Sequence, residues 1–305
     1  MGVVLYFGKL NLITDGLFSI YNDPSLMDDL YTKLYIGMSD GLSYTKERPI
    51  KHNDGEWATE EIKYELHVLS KDTSYCEGWL YKESKIYYRI RNPHSKALEQ
   101  RAVDSTEGIR FCLDIKHEQV AYNTTNRFGY KEFLEVFKEL VNQGQILIES
   151  PYIFDIALIT SGLGIDEINA ELRRIGRIKR LSIRMQPPNP SSELLKELNK
   201  RGDDMIENMR NANVTTYGMT FESKGEKGIN LESDLIENRI KDLTGLNNRI
   251  TVEESTKKGY IEVDAEAMDG SKFSTKDHKP HKYVIPGIDV FPEICKDIFF
   301  KLRGI

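Results

Sequence analysis

A run of two-residue alternation between Glu60 and Arg91 constrains the fold of this chain more than any other feature of its sequence. Apolar and aromatic side chains recur there at every second position: Ile62, Tyr64, Leu66 and Val68, then Trp79 and Tyr81, then Ile86, Tyr88 and Ile90. Because successive side chains of a strand point to opposite faces, this period predicts a meander of long antiparallel strands with one face wet.

Helical periodicity appears on both sides of the predicted meander. Leucines at positions 26, 30 and 34 predict a helix over residues 24–36, and apolar residues between Tyr130 and Val141 predict a second amphipathic helix. The remaining patterns of this half predict a strand at 3–13, a polar loop at 92–107, a hairpin of 109–113 with 119–122, and extended segments at 146–148 and 152–159.

The second half of the chain begins a new series of elements. The patterns predict a helix at 165–175 ended by Gly176, a strand at 178–186, a long helix at 191–211, a strand at 214–221, a short helix from Ser233, paired strands at 249–254 and 259–267, an edge strand at 282–285 and a final helix capped by Asp289. We therefore predict an α+β fold, with antiparallel sheets, helices packed on one face, and a ferredoxin-like strand-helix-strand unit in the C-terminal half. The predicted domains are 1–160 and 161–305, the second carrying the basic segment described next.

Residues 171–190 form a basic segment in an acidic protein. The chain has a formal net charge of −6, yet this segment contains one acid, Glu171, and six cations: Arg173, Arg174, Arg177, Lys179, Arg180 and Arg184. Such an asymmetry attracts anions. Guanidinium groups suit bidentate contacts with phosphate. The six cations are therefore predicted to bind a nucleic-acid backbone, and the alternative left open is a solvated or acid-paired surface.

The alternation within the segment predicts which side chains are exposed. Leu181, Ile183 and Met185 share one face of the predicted strand at 178–186 and are expected to lie under the neighbouring helices. Arg180 and Arg184 lie on the opposite face with Ser182. If Arg184 is exposed and unpaired, its truncation to alanine should cost under about 0.5 kcal/mol.

Three groups of residues are candidates for catalytic or metal sites. Glu262, Asp264 and Glu266 alternate on one face of a predicted strand, Asp277, His278 and His281 form a D-H-x-x-H motif, and Asp114 and Lys116 have a spacing seen at some nuclease sites. Carboxylates two apart on a strand are roughly 7 Å apart, too wide for one ion without further ligands. Two imidazoles fall short of the three or four ligands that zinc takes. No catalytic residue, metal or cofactor is therefore predicted.

Composition indicates a cytoplasmic protein without a membrane segment. The three cysteines, Cys76, Cys112 and Cys295, are odd in number and far apart, which favours reduced, buried thiols. No apolar run approaches the roughly 20 residues that span a bilayer.

Four fragments resemble a family of uncharacterised prokaryotic proteins known only as a domain of unknown function. The fragments are IRFCLDIKHEQVAYN (109–123), RIKRLSIRMQPPNP (177–190), KKGYIEV (257–263) and FSTKDHKP (273–280). The similarity covers the last two-thirds of the chain, and Lys258 stands where Asn is expected before Gly259, so this copy is a divergent member. The order of elements at 165–222 more faintly resembles the DNA-binding sensor of the Rex phage-exclusion system. These resemblances imply a bacterial or phage setting and a role in antiviral defence, and neither supplies catalytic residues.

Three functions follow as hypotheses. The first is a non-enzymatic nucleic-acid-binding protein, a sensor or regulator in antiviral defence, expected to be a homo-oligomer and to have a defence-system protein partner. The second is a structural or adaptor subunit whose basic segment docks an acidic protein. The third is a metal-dependent nuclease using carboxylates such as Asp114, Glu262 or Asp264.

Overall fold

Two antiparallel sheets organise the chain in a computed structural model that describes residues 2–51, 55–91, 94, 98–196, 204–244 and 249–303. The strands are β1 (Val3–Leu12), β2 (Ser43–Lys51), β3 (Trp57–Lys71), β4 (Tyr75–Arg91), β5 (Leu98–Asp114), β6 (Gln119–Asn123), β7 (Phe154–Leu158), β8 (Ile178–Met185), β9 (Tyr217–Glu222), β10 (Ile261–Ala267), β11 (Lys272–Ser274) and β12 (Lys282–Ile285). The helices are α1 (Gly16–Asn22), α2 (Met27–Gly37), α3 (Tyr130–Leu147), α4 (Ile165–Arg174), α5 (Asp204–Asn211), α6 (Asp234–Thr244), α7 (Arg249–Lys257) and α8 (Phe291–Arg303). The predicted α+β class with antiparallel sheets is confirmed.

The first sheet has eight strands in the order β12-β1-β6-β5-β4-β3-β2, and β7 also pairs with β1. Strand β1 therefore pairs with three strands, β12, β6 and β7. Its first half pairs with β12, from Val3 opposite Ile285, and its second half pairs with β7, from Gly8 opposite Leu158. Strands β3 and β4 form the meander predicted between Glu60 and Arg91, and the predicted hairpin of β5 and β6 is present.

Helices cover both faces of this sheet. Leu10 and Leu12 of β1 belong to the main apolar cluster, which includes the buried stripes of α2 and α3. Leu5 and Phe7 point to the other face, where they pack with Phe291 of α8 and its neighbours. The prediction of helices on one face thus misses the C-terminal helix, whose stripe of Phe291, Cys295 and Phe299 is fully buried.

Strands β4 and β5 continue past the edge of the first sheet as a two-stranded ribbon. The pairing of β3 with β4 ends at Glu83, whereas β4 and β5 stay paired from Tyr75 opposite Asp114 to Arg91 opposite Leu98. The predicted loop at 92–107 is wrong from Leu98 onward, since those residues are strand. The start of β5 is mostly polar on both faces, unlike the facing half of β4, so its sequence carries no two-residue period that would predict a strand.

The second sheet has the order β11-β10-β8-β9, and every pairing in it is antiparallel. Leu181, Ile183 and Met185 are buried as predicted and cluster with apolar residues of α4 to α7. Of the predicted helix at 191–211, residues 193–196 and α5 are helical, and 197–203 lie outside the described residues. The ferredoxin-like likeness stays a prediction.

Two local predictions are wrong. Residues 249–254 were expected to be a strand but begin helix α7, in which Val252 is buried and the Glu254 carboxylate lies 2.5 Å from Lys258 Nζ one turn later. Burial and this i,i+4 pair override the β-branched composition. Residues 146 and 147, expected to be extended, are the last turn of α3.

The two sheets share a core. One continuous cluster of buried apolar side chains includes residues from both, from Leu10 to Phe273. Strand β12 and helix α8, which end the chain, return to the first sheet. The division at residue 160 stays a prediction. Within the described residues, no helix is long and apolar enough to cross a membrane.

Candidate functional site

One end of the second sheet gathers most of the basic segment. Strand β8 starts at Ile178, beside the last residues of β9 and β10 and the first residue of β11. The backbone N–H groups of Met268 and Ser223 donate to the carbonyls of Arg177 and Lys179, which ties the adjoining loops to this end. We call it the basic end; its cations are Arg173, Arg174, Arg177, Lys179, Arg180, Lys224, Lys227 and Lys272.

Acidic residues on the same helix or on neighbouring strands contact several of these cations. Lys179 Nζ lies 2.8 Å from Glu266, Arg180 Nε 3.4 Å from Glu222, and Arg174 Nη2 2.7 Å from Glu171. The hydrogen bond from Lys179 lowers the pKa of Glu266. These acids are far from the segment or at its start, so a local count of charge could not show the pairing.

The basic end keeps an excess of positive charge. Its eight cations face five carboxylates, those of Glu171, Glu222, Glu226, Glu266 and Asp269. The pairs that form are largely exposed, and exposed pairs are weak, about 0–1 kcal/mol each. Arg173 forms no ion pair with any of the residues that the structure describes. Its guanidinium and that of Arg177, which donates to the Glu226 carbonyl at 3.2 Å, are exposed to an incoming anion.

Arg184 is placed apart from the other five predicted residues. Its Nη2 lies 3.1 Å from Asp155 of β7 and its Nε 2.9 Å from Glu262 of β10. Lys276 also reaches Glu262, at 3.0 Å. Arg184 thus belongs to a charge network at the junction of the two sheets rather than to the basic end.

This network borders a cleft of about 220 Å³ between α3, β7 and β10. The side chain of Glu262 is 7% exposed, and burial raises its pKa against the opposing effects of Lys276 and Arg184. The period-two alternation of Glu262, Asp264 and Glu266 predicts that all three lie on a wet sheet face. That prediction is wrong for Glu262, because the first sheet covers that end of β10.

The other candidate sites do not assemble into a metal centre. Over the described ranges, no group of three or more His, Cys, Asp or Glu side chains is arranged to hold a metal ion. Asp114 is buried and accepts hydrogen bonds from the backbone and ring of His117. Asp277 pairs with Lys131 at 2.6 Å, and His281 packs near the ring of Phe7.

A buried polar network between the sheets was missed from sequence. Lys9 Nζ lies 2.8 Å from the carboxylate of Glu118, and Ser191 donates a hydrogen bond to the same oxygen at 2.6 Å. Asn189 bridges β1 by donating to Leu10 O and accepting from Leu12 N. The available signal was the lysine of Gly8-Lys9-Leu10, a charge inside a strand otherwise rich in apolar residues.

The fragments that carry the family resemblance meet at this junction. Glu118 of fragment 109–123 contacts Ser191, which directly follows fragment 177–190. Gln186 of fragment 177–190 donates a hydrogen bond to Gly259 O of fragment 257–263. Thr275 of fragment 273–280 accepts one from Val263 N of fragment 257–263. These contacts place all four fragments around one interface.

Comparison with known proteins gives one match. A family model described as "Domain of unknown function (DUF4747)" matches residues 92–282. No curated protein and no solved structure matches the chain.

Proposed function

Because that match covers well over half of it, the chain belongs to the DUF4747 family, and we propose that it binds the phosphate backbone of nucleic acid through the basic end. One observation supports the proposal: eight cations from α4, β8, β11 and two adjoining loops converge at one end of the second sheet, on a protein whose overall charge is −6. A local positive field on an acidic protein attracts polyanions and restricts where they dock.

The arrangement suits backbone contact rather than base recognition. Arg173 lies in the last turn of α4, Arg177 lies in the turn that follows, and Arg180 projects from the wet face of β8. Exposed arginines spread over a helix end, a turn and a strand can follow successive phosphates, which fix position without selecting sequence. Arg184, held by Asp155 and Glu262, is left out of the proposed contact surface.

The setting in antiviral defence rests on the two resemblances given for the sequence, to the family of unknown function and more faintly to the Rex sensor. In that setting the protein would be a sensor or regulator that responds to nucleic acid, as a homo-oligomer or with a protein partner. The metal-dependent nuclease is the less favoured alternative, because the described carboxylates do not assemble into a metal site.

The test is the salt dependence of binding. Fluorescence anisotropy with labelled single- and double-stranded DNA and RNA should show wild-type binding at 50 mM salt that weakens steeply by 200 mM. The triple variant Arg173→Glu, Arg177→Glu and Arg180→Glu should lose binding, and milder Gln substitutions should reduce the slope of log K against log salt by about 0.7–0.9 per lost contact.

The matched control places the same charge change elsewhere. Lys116, Lys296 and Lys301 are exposed and lie on other elements, so the triple variant with Glu at these positions should keep most of its affinity. Absence of wild-type binding to every nucleic acid at low salt would remove the proposal. Binding of polyglutamate that arbitrary DNA cannot displace would favour the adaptor alternative.

A further inference from the structure

The ribbon formed by β4 and β5 has no buried side chain over its outer eight residue pairs. Ser84–Arg91 pair only with Leu98–Ser105, in register from Ser84 opposite Ser105 to Arg91 opposite Leu98. None of these sixteen side chains is buried. Eight residues of strand span about 26 Å, so the ribbon extends far beyond the last residue of β4 that pairs with β3.

The two faces of the ribbon differ in chemistry. One face, which we call the arginine face, carries Lys85, Tyr87, Arg89 and Arg91 from β4 and Leu98, Gln100, Ala102 and Asp104 from β5. The other face carries Ile86, Tyr88, Ile90, Val103, Glu99 and Arg101. The arginine face therefore has three cations and one carboxylate, and Asp104 lies opposite Lys85 at the base of the ribbon.

The cations of the arginine face are available for a ligand. Within the ranges that the structure describes, Lys85, Arg89 and Arg91 form no ion pair with a carboxylate, whereas Arg101 on the opposite face lies 3.9 Å from Glu99. Arg89 and Gln100 are directly opposite each other, so a guanidinium and a carboxamide project side by side.

We propose that this ribbon inserts its arginine face into the major groove of duplex DNA, a second contact that rests on the proposed nucleic-acid binding and gives it a preference for double-stranded DNA. The major groove of B-DNA, about 12 Å wide and 8.5 Å deep, admits a two-stranded ribbon. Arginine pairs with the guanine edge and glutamine with the adenine edge in that groove.

The same geometry disfavours other nucleic acids. The major groove of A-form RNA is deep and too narrow for side chains to reach the bases. Single strands are held on aromatic stacking platforms, and the arginine face has one aromatic residue, Tyr87. Charge density favours duplex DNA over a second copy of this chain, since DNA carries one charge per about 1.7 Å of helix axis whereas the whole chain has a net charge of −6.

The experiment compares two single substitutions on the same ribbon. Arg89→Gln removes a cation from the arginine face, and Arg101→Gln removes one from the opposite face. Affinities for a duplex DNA, the duplex RNA of the same sequence and the single-stranded DNA are measured at one salt concentration. Wild type should bind duplex DNA most tightly. Arg89→Gln should weaken that binding about tenfold, the range of one groove contact, and Arg101→Gln less than about twofold.

Both side chains are exposed, so neither substitution should change the melting temperature. An unchanged melting temperature shows that a loss of affinity does not come from misfolding. Equal losses for Arg89→Gln and Arg101→Gln, or equal wild-type affinity for all three nucleic acids, would overturn the inference while leaving backbone binding by the basic end intact. If the basic end is neutralised and Arg89→Gln still weakens the binding of duplex DNA, the ribbon inference stands and backbone binding by the basic end is overturned. A dimer that Val103→Glu dissociates, with duplex affinity unchanged, would assign the ribbon to self-association and also overturn the inference.

Discussion

Arg184 Nε lies 2.9 Å from Oε2 of Glu262, a carboxylate whose side chain is only 7% exposed. On the same face of the same strand, Arg180 reaches Glu222, and both of those side chains are more than half exposed. Two arginines that the sequence presents as equivalent therefore have different energetic roles, because one end of β8 is covered by the first sheet and the other is open to solvent.

Truncating the two arginines should separate these roles. Arg184→Ala leaves Glu262 buried with Lys276 as its remaining cation, so we expect a loss of about 1–3 kcal/mol of unfolding free energy, below the full cost of breaking a buried pair because Arg184 is 37% exposed. Arg180→Ala breaks an exposed pair and should cost under about 0.5 kcal/mol. Urea unfolding measures both, and equal losses would contradict the structure.

The pH dependence of stability should reveal the environment of Glu262. Burial raises its pKa in the folded state above the ordinary 4.5, so the folded protein binds the proton more tightly than the unfolded chain does. Its contribution to stability is full below pH 4.5 and is lost as pH rises through the folded pKa. The stability of wild type relative to Glu262→Gln should therefore decrease from pH 4.5 towards pH 7.5 in urea unfolding.

Glu266→Gln, on the same strand, is a control for which the pH dependence of stability should have the opposite sign. Lys179 lowers the pKa of Glu266 below 4.5, so its contribution is present above pH 4.5 and lost as pH falls through the folded value. A wild type that gains stability over Glu262→Gln as pH rises would show that the pairs with Lys276 and Arg184 outweigh burial.

The difference between Arg180 and Arg184 also shows which structural features can be predicted from the sequence. Alternation in β8 correctly placed Ile183 in the core, because that pattern depends only on neighbouring residues. The partners of Arg184 lie on β7 and β10, distant in sequence, so no local pattern could identify them. Polar strands such as the start of β5 were missed for the related reason that a strand polar on both faces carries no periodic signal.

The buried pair of Lys9 and Glu118 should be strongly coupled. Their side chains are 4% and 0% exposed, so Lys9→Met leaves a buried, unpaired carboxylate and should cost about 3–5 kcal/mol. Adding Glu118→Gln removes the uncompensated charge, and the double variant should be more stable than Lys9→Met alone. Lys63→Met, which breaks the exposed pair with Glu65, should cost under about 0.5 kcal/mol. Additive losses in the double-mutant cycle would mean that the two charges do not interact.

The close approach of the two sheets at Gly259 gives the last prediction. Gly259 has φ +74°, and a Cβ there would lie 2.2 Å from the Cβ of Ala157 on β7. Gly270 has a similar φ of +87° but open space around its Cβ position. Gly270→Ala should cost only the backbone term of about 1–2 kcal/mol, whereas Gly259→Ala adds a clash between the turn before β10 and strand β7 and should cost at least about 2 kcal/mol more. Similar melting temperatures for the two variants would show that β7 and the turn before β10 are not in contact, and the cleft beside Glu262 would then lose one of its walls.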